Sequence, residues 1–264
     1  MKTNGHMPFW RRVCRVAGLR LFHWAENNGI ADVRRNGERW LVKEAMRAHN
    51  GRGAGRPFVV IDGGANAGDY TAMLLELAQA CKSGIEVHAF EPSDTARNRL
   101  LERFEGCGQL TVIGKALGER AGSAILQDGA AGSEHASLLM RAGFRNDPGK
   151  AVQVDVIPLG EYLREAGIAR VDLLKLDIEG YELAALRGLG DALVPECVRA
   201  IQFEYGGTTM DAGVTLGQIY QLLQGRGYRV AKLLPSGLAV RDYAPWMDHY
   251  SYANYVAIAP EAVA

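Results

Sequence analysis

The sequence predicts an α/β protein built on a mostly parallel sheet with helices on both faces, and three observations carry that prediction. Residues 58–61, Phe-Val-Val-Ile, form an apolar run behind Pro57 that ends at Asp62, the pattern of a strand buried on both faces. The chain then turns through Gly63, Gly64 and Gly68, and Tyr70, Met73, Leu74, Leu77 and Ala78 recur at helical spacing directly afterwards. Further short apolar runs alternate with helical patterns down the rest of the chain, which is the arrangement of a doubly wound sheet.

Taken in order, residues 10–26 come first. They are amphipathic and basic, with Arg11, Arg12, Arg15 and Arg20 set against Val13, Val16, Leu19, Phe22 and Trp24. Arg15 and Arg20 interrupt any apolar centre, so the segment does not read as a signal peptide. It reads as a helix packed on the domain or on a second subunit, a possible homodimer contact, with a membrane-surface or partner contact as the alternative. In residues 32–50, Asn36 is the expected cap of a helix that places Trp40, Leu41, Glu44, Ala45 and Ala48 on one face. Residues 51–57 are a glycine-rich link. The expected organisation is therefore an N-terminal helical extension over 1–50 and a catalytic domain over 51–264.

After the first strand and its helix, residues 85–91 read as a second strand ending in Glu91, followed by Pro92. Ser93 caps a helix over 94–105, and 110–116 is the third strand. Residues 123–157 break the alternation, with strand-like stretches at 124–127 and 152–157 and polar, glycine-containing sequence between. An acceptor site or lid is expected there, with His135 and Arg141 as its notable polar residues. A short helix follows over 158–166, a buried strand over 172–177 ending at Asp177, and a helix over 181–189. Residues 200–205 form a strand with Glu204 near its end, followed by a helix over 215–226, a strand over 228–234 and a last strand over 252–259. Residues 242–250, with Trp246, Asp248 and His249, form an aromatic loop that feeds the last strand.

Bulk composition narrows the function classes. A chain of 264 residues can bury a large core, and 48% hydrophobic with 23% charged residues is ordinary for a globular protein. Its 30 basic and 30 acidic residues cancel, so no electrostatic case exists for nucleic acid as a partner. Cys14, Cys81, Cys107 and Cys197 are scattered with no C-x-x-C, as expected of free thiols in a reducing, cytoplasmic setting. No run approaches the roughly 18 apolar residues of a membrane span.

Asp62, Gly63, Gly64, Asn66 and Gly68 make a strand–turn–helix junction at the carboxyl edge of the sheet, where such folds bind ligands. Glu91, at the tip of the next strand, can accept hydrogen bonds from both hydroxyls of a ribose. The turn reads G-G-A-N-A-G, which lacks the G-x-G-x-x-G spacing of a dinucleotide site, and Asp62 would repel a pyrophosphate. An acid there suits S-adenosylmethionine, which carries an ammonium, a sulfonium and a ribose but no phosphate.

Four segments, residues 60–71 (Val-Ile-Asp-Gly-Gly-Ala-Asn-Ala-Gly-Asp-Tyr-Thr), 89–92 (Ala-Phe-Glu-Pro), 115–118 (Lys-Ala-Leu-Gly) and 173–182 (Leu-Leu-Lys-Leu-Asp-Ile-Glu-Gly-Tyr-Glu), resemble the FkbM-type methyltransferases in type and order. Gly63 departs from the pattern, since a β-branched residue is commoner there. The resemblance implies a class I methyltransferase, Rossmann-like, with an antiparallel last strand and S-adenosylmethionine as methyl donor. It implies an O-methyltransferase acting on a small-molecule or saccharide acceptor, and it places Ala116 near the adenine ring.

Methyl transfer to a hydroxyl needs alignment and a base. Asp177, Glu179 and Glu204 fall at predicted strand ends beside the pocket and are the catalytic candidates. Together they could also hold a divalent cation, but no full oxygen cage is visible and no metal is assigned. Two other readings compete: a non-catalytic binding module that keeps the pocket, and a nicotinamide oxidoreductase on a related sheet.

Overall fold

The protein is represented by a computed structural model that describes residues 8–53, 55–127 and 151–260. His135 and Arg141, and the candidate lid around them, lie outside the described residues.

Two helices precede the sheet, α1 (Phe9–Ala25) and α2 (Glu38–Gly51). The sheet is entered through β1 (Phe58–Gly63), α3 (Asp69–Cys81), β2 (Ile85–Phe90), α4 (Asp94–Arg103) and β3 (Leu110–Ile113). A small second sheet follows, formed by β4 (Ala116–Gly118), β5 (Gly122–Gln127) and β6 (Ala151–Pro158) in the order β4-β6-β5. The chain returns through α5 (Leu159–Glu165), β7 (Leu173–Leu176), α6 (Glu182–Gly188), β8 (Ala200–Tyr205), α7 (Gly207–Asp211) and α8 (Leu216–Gly225). It ends with β9 (Arg229–Leu234), β10 (Gly237–Val240) and β11 (Ala253–Ile258).

The large sheet has the order β10-β9-β11-β8-β7-β1-β2-β3. Strands β3, β2, β1, β7 and β8 are mutually parallel, and β11 runs antiparallel to both β8 and β9. This is the predicted α/β architecture with its antiparallel last strand. Strand alternation sends Val60, Leu173 and Val256 to one face, against α2 and α3, and Ile61, Leu174 and Tyr255 to the other, against α5, α6 and α8. Both faces are covered, which is why the strands carry apolar runs with no polar face.

Several boundaries differ from the sequence reading. The cap of α2 is Gly37, in the left-handed region at φ 102°, and Asn36 sits one residue earlier, accepting the Glu38 amide at 3.0 Å. A Cβ at Gly37 would lie 2.2 Å from the Leu234 carbonyl oxygen, so the tight approach to β9 selects glycine. The expected strand 110–116 is two strands in two sheets, because the chain breaks at 114–115 and Ala116 pairs with Val156 instead of extending β3. The hairpin partner β10 was not foreseen, nor was α7. Helix α1 buries none of its residues, whereas α2 puts Leu41, Val42 and Met46 into the core with Phe58 and Val60.

Candidate functional site

Strand order reverses at β1: its neighbours β2 and β7 lie on opposite sides, and a crevice lies at the carboxyl ends of β1 and β7. The crevice measures about 700 Å³, within the range of cofactor sites. Its lining includes Gly64, Asn66, Lys175, Asp177, Glu179 and Glu204.

The glycine turn is held from beneath. The amides of Gly64 and Ala65 both donate to the Phe90 carbonyl at 3.0 Å. Gly64 has φ 82°, and a Cβ there would meet the Asp177 carbonyl oxygen at 1.9 Å, so the turns after β1 and β7 touch only because this residue is glycine. Gly63 ends β1, and Gly68 caps α3 with φ 87°. Asn66 also has positive φ, and its amide donates to Glu91 Oε2 at 2.8 Å. The other Glu91 oxygen accepts the Ser93 amide at 2.8 Å. Glu91 thus locks the turn after β1 to the tip of β2.

Asp62 differs from the sequence expectation. It is fully buried and does not line the crevice. Thr71 Oγ1 donates to one of its oxygens at 2.8 Å and Lys175 Nζ approaches the other at 3.5 Å. Asp62 therefore acts on the crevice through Lys175, not by presenting its own charge. Ala116 is buried with Leu126 and Val154 in the small sheet and is not among the lining residues.

Alternation along β7 puts Lys175 and Asp177 on one face, 3.4 Å apart. Burial works against the Lys175 ammonium, but Asp177, Asp62 and Glu38 outweigh it and hold its pKa above the ordinary value. The ammonium also lies 4.8 Å above the Tyr70 ring. Tyr70 donates to Gln202 Oε1 at 3.0 Å, and Gln202 donates to the buried Glu38. Glu204, half-buried, shares a hydrogen bond with Asp177; burial first and the Asp177 charge second push its pKa well up. Of the pair, Glu204 is the one whose protonated form its surroundings favour.

Glu179, at φ 55° in the turn after β7, lines the crevice beside them. Glu182, the first residue of α6, accepts the amides of Ile178 and Gly180 at 3.0 and 3.2 Å and so fixes that turn. Its second oxygen is buried with no hydrogen-bond partner among the described residues, and burial pushes its pKa up to about 7. Among the described residues, no group of three or more His, Cys, Asp or Glu is arranged to hold a metal ion.

Sequence reasoning missed Lys175, Glu38, Gln202 and Glu182. Lys175 and Gln202 left a signal, since a lone polar residue inside an apolar strand is costly unless something pairs with it. Glu38 and Glu182 left none, because each looks like an ordinary first-turn helix acid.

The residues fit a phosphate-free, cationic nucleoside. Asp69, Asp177, Glu179 and Asp211, without counting Glu204, line the crevice against Lys175 and Arg99, an acidic surplus that suits an ammonium or sulfonium and disfavours a pyrophosphate. A doubly wound sheet with a glycine turn at its switch point and a charged crevice beyond it defines a nucleoside-cofactor-binding α/β protein. The Methyltransferase FkbM domain model matches residues 62–230. The 31-O-demethyl-FK506 methyltransferase FkbM of Streptomyces tacrolimicus is 29% identical over 198 residues, 65% of this chain and 73% of that protein. The crystal structure of Methyltransferase FkbM from Methylobacillus flagellatus KT aligns with a TM-score of 0.48 at 18% identity, over 76% of this chain and 43% of that one, so the chain spans less than half of its length. A SAM-dependent methyltransferase from Agrobacterium tumefaciens aligns with a TM-score of 0.45 at 11% identity, over 84% and 61%. The chain belongs to the FkbM methyltransferase domain family.

Proposed function

We propose that the protein transfers a methyl group from S-adenosylmethionine to a hydroxyl of a small molecule or glycan, with a sugar or glycosylated natural product as the favoured acceptor. The observation that carries this reading is the line Asp62–Lys175–Asp177–Glu204, which runs from beneath the crevice into its lining. The methyl donor, when bound, supplies an electrophilic methyl group, and the protein supplies alignment and a proton acceptor. The turn carrying Gly64 and Asn66, tied to Glu91, is the surface for the nucleoside end. Asp177 takes the hydroxyl proton, and Lys175 behind it favours its ionised form. Glu204 holds the neighbouring proton and keeps a second negative charge out of the floor. Oxygen as the acceptor atom draws support from the name of the Streptomyces relative, which is that of an O-methyltransferase.

The test is transfer of isotopic label from S-adenosylmethionine to a panel of sugars and glycosylated metabolites, beside calorimetric titration of the same donor and of NAD. The expected result is donor binding and label on an oxygen of one acceptor class. Binding of NAD in place of the methyl donor would overturn the cofactor. Label found only on nitrogen or carbon would overturn the acceptor atom.

A further inference from the structure

Helix α1 is absent from the chemistry described above. At 100° per residue, Phe9, Trp10, Val13, Val16, Leu21 and Trp24 share one half of its circumference, and all six are exposed, Phe9 by 82% and Trp24 by 79%. Phe22 projects from the opposite side. That ring meets the domain, 5.1 Å from His249 and 6.3 Å from Trp246 between centroids. Just past the helix, Glu26 receives both terminal nitrogens of Arg241 at 3.1 and 2.6 Å, which fixes the foot of α1. The apolar half therefore faces away from the sheet.

The charge on α1 is concentrated on the other half, where exposed Leu19 also falls. Arg11, Arg12 and Arg15 occupy the other half, Arg20 sits within the apolar arc on a stem long enough to reach out of it, and residues 9–25 contain no acid. Across the whole chain basic and acidic residues balance, so this excess is local. We propose that α1 seats the protein on an anionic lipid surface, with its apolar half in the headgroup–acyl boundary and its arginines against the lipid phosphates. Two tryptophans, one near each end, suit that boundary because their rings are apolar with a polar edge. No described helix is long and apolar enough to cross a membrane, so α1 lies on the surface and does not span it. A second copy of α1 is the poorer occupant, because it would add its own arginines and bring no acid.

The full chain is sedimented with phosphatidylcholine vesicles, with and without phosphatidylglycerol, at low and high salt. Partition onto the anionic vesicles should be stronger by on the order of tenfold or more at low salt, and that preference should collapse at high salt. Trp10→Ser/Trp24→Ser should abolish partition while the unfolding temperature stays unchanged, since both rings are exposed. Arg11→Glu/Arg15→Glu should remove the anionic preference. Equal retention on both vesicle types, or undiminished anionic binding by the tryptophan variant, would overturn the proposal. So would a lipid-free dimer that the tryptophan substitutions dissociate, which would make α1 an interface between copies.

Discussion

Strand β7 is bracketed by two aspartates, Asp172 and Asp177, five positions apart and opposite in environment. At the amino end, the Asp172 side chain is 2% exposed and fully matched. Arg56 forks onto it at 2.7 and 2.9 Å, the Val59 amide donates at 3.0 Å and His49 Nδ1 lies 3.2 Å away. Burial alone would raise its pKa, but these donors outweigh burial and hold it below the ordinary value. At the carboxyl end, the Asp177 side chain is 38% exposed, faces Lys175 and shares a hydrogen bond with Glu204, whose pKa burial and Asp177 push well up. One end spends its charges on folding; the other leaves acids crowded around one ammonium. Such mismatched titratable groups are the pattern on which the proposed catalytic role of Asp177 rests.

Four substitutions can break or sharpen this contrast. Asp172→Ala should cost about 4 kcal/mol of folding stability, since it strands a buried histidine and a half-buried arginine, while donor affinity of the folded protein stays unchanged. Urea titration reads the first and calorimetry the second; a loss below about 1 kcal/mol would make the two ends alike. Asp177→Asn should lower kcat by about 100-fold, or roughly 3 kcal/mol of barrier, and change donor affinity only a few-fold. Equal losses in turnover and affinity would make Asp177 a binding residue. Glu204→Gln should stabilise the free protein by about 1 kcal/mol at neutral pH, because the amide spares the proton uptake the folded carboxyl requires. An unchanged unfolding temperature would mean that Glu204 is ionised.

The smallest effect is a slope. The folded Glu182 value of about 7 lies above the ordinary 4.5, so its contribution is full below the unfolded value and is lost as pH rises through about 7. Glu182→Gln should flatten that decline, by less than one proton's worth, about 1.4 kcal/mol per pH unit. Asp172 has the opposite sign: its lowered value makes its stability present above 3.8 and lost as pH falls through the folded value. An unaltered slope in the Glu182 variant would remove that residue from the acidic group.

The strands and the first glycine turn were legible because their signals are local. An apolar run fixes β1, β7 and β8 whatever lies beside them, and the helix after Gly68 follows from the spacing of Tyr70, Met73 and Leu74. The tip of β1 was located correctly, but the direction of Asp62 was not. Its partner Lys175 lies 113 residues away in sequence, and only the pairing of β1 with β7 brings the two together. The split of residues 110–116 between two sheets was illegible for the same reason, since Val156 is the partner that draws Ala116 away.

The sequence by itself determined the alternation of strands and helices, the placing of a glycine turn and of Glu91 at neighbouring strand tips, and the basic amphipathic character of α1, all set by side-chain period and backbone permissiveness over a few residues; that the apolar half of α1 is exposed came from the structure. Only the tertiary structure decided which acids keep their charge. Protonation depends on burial and on the nearest charges: Arg56 and His49 reach Asp172 from more than a hundred residues away, and Asp177 meets Glu204 from the neighbouring strand.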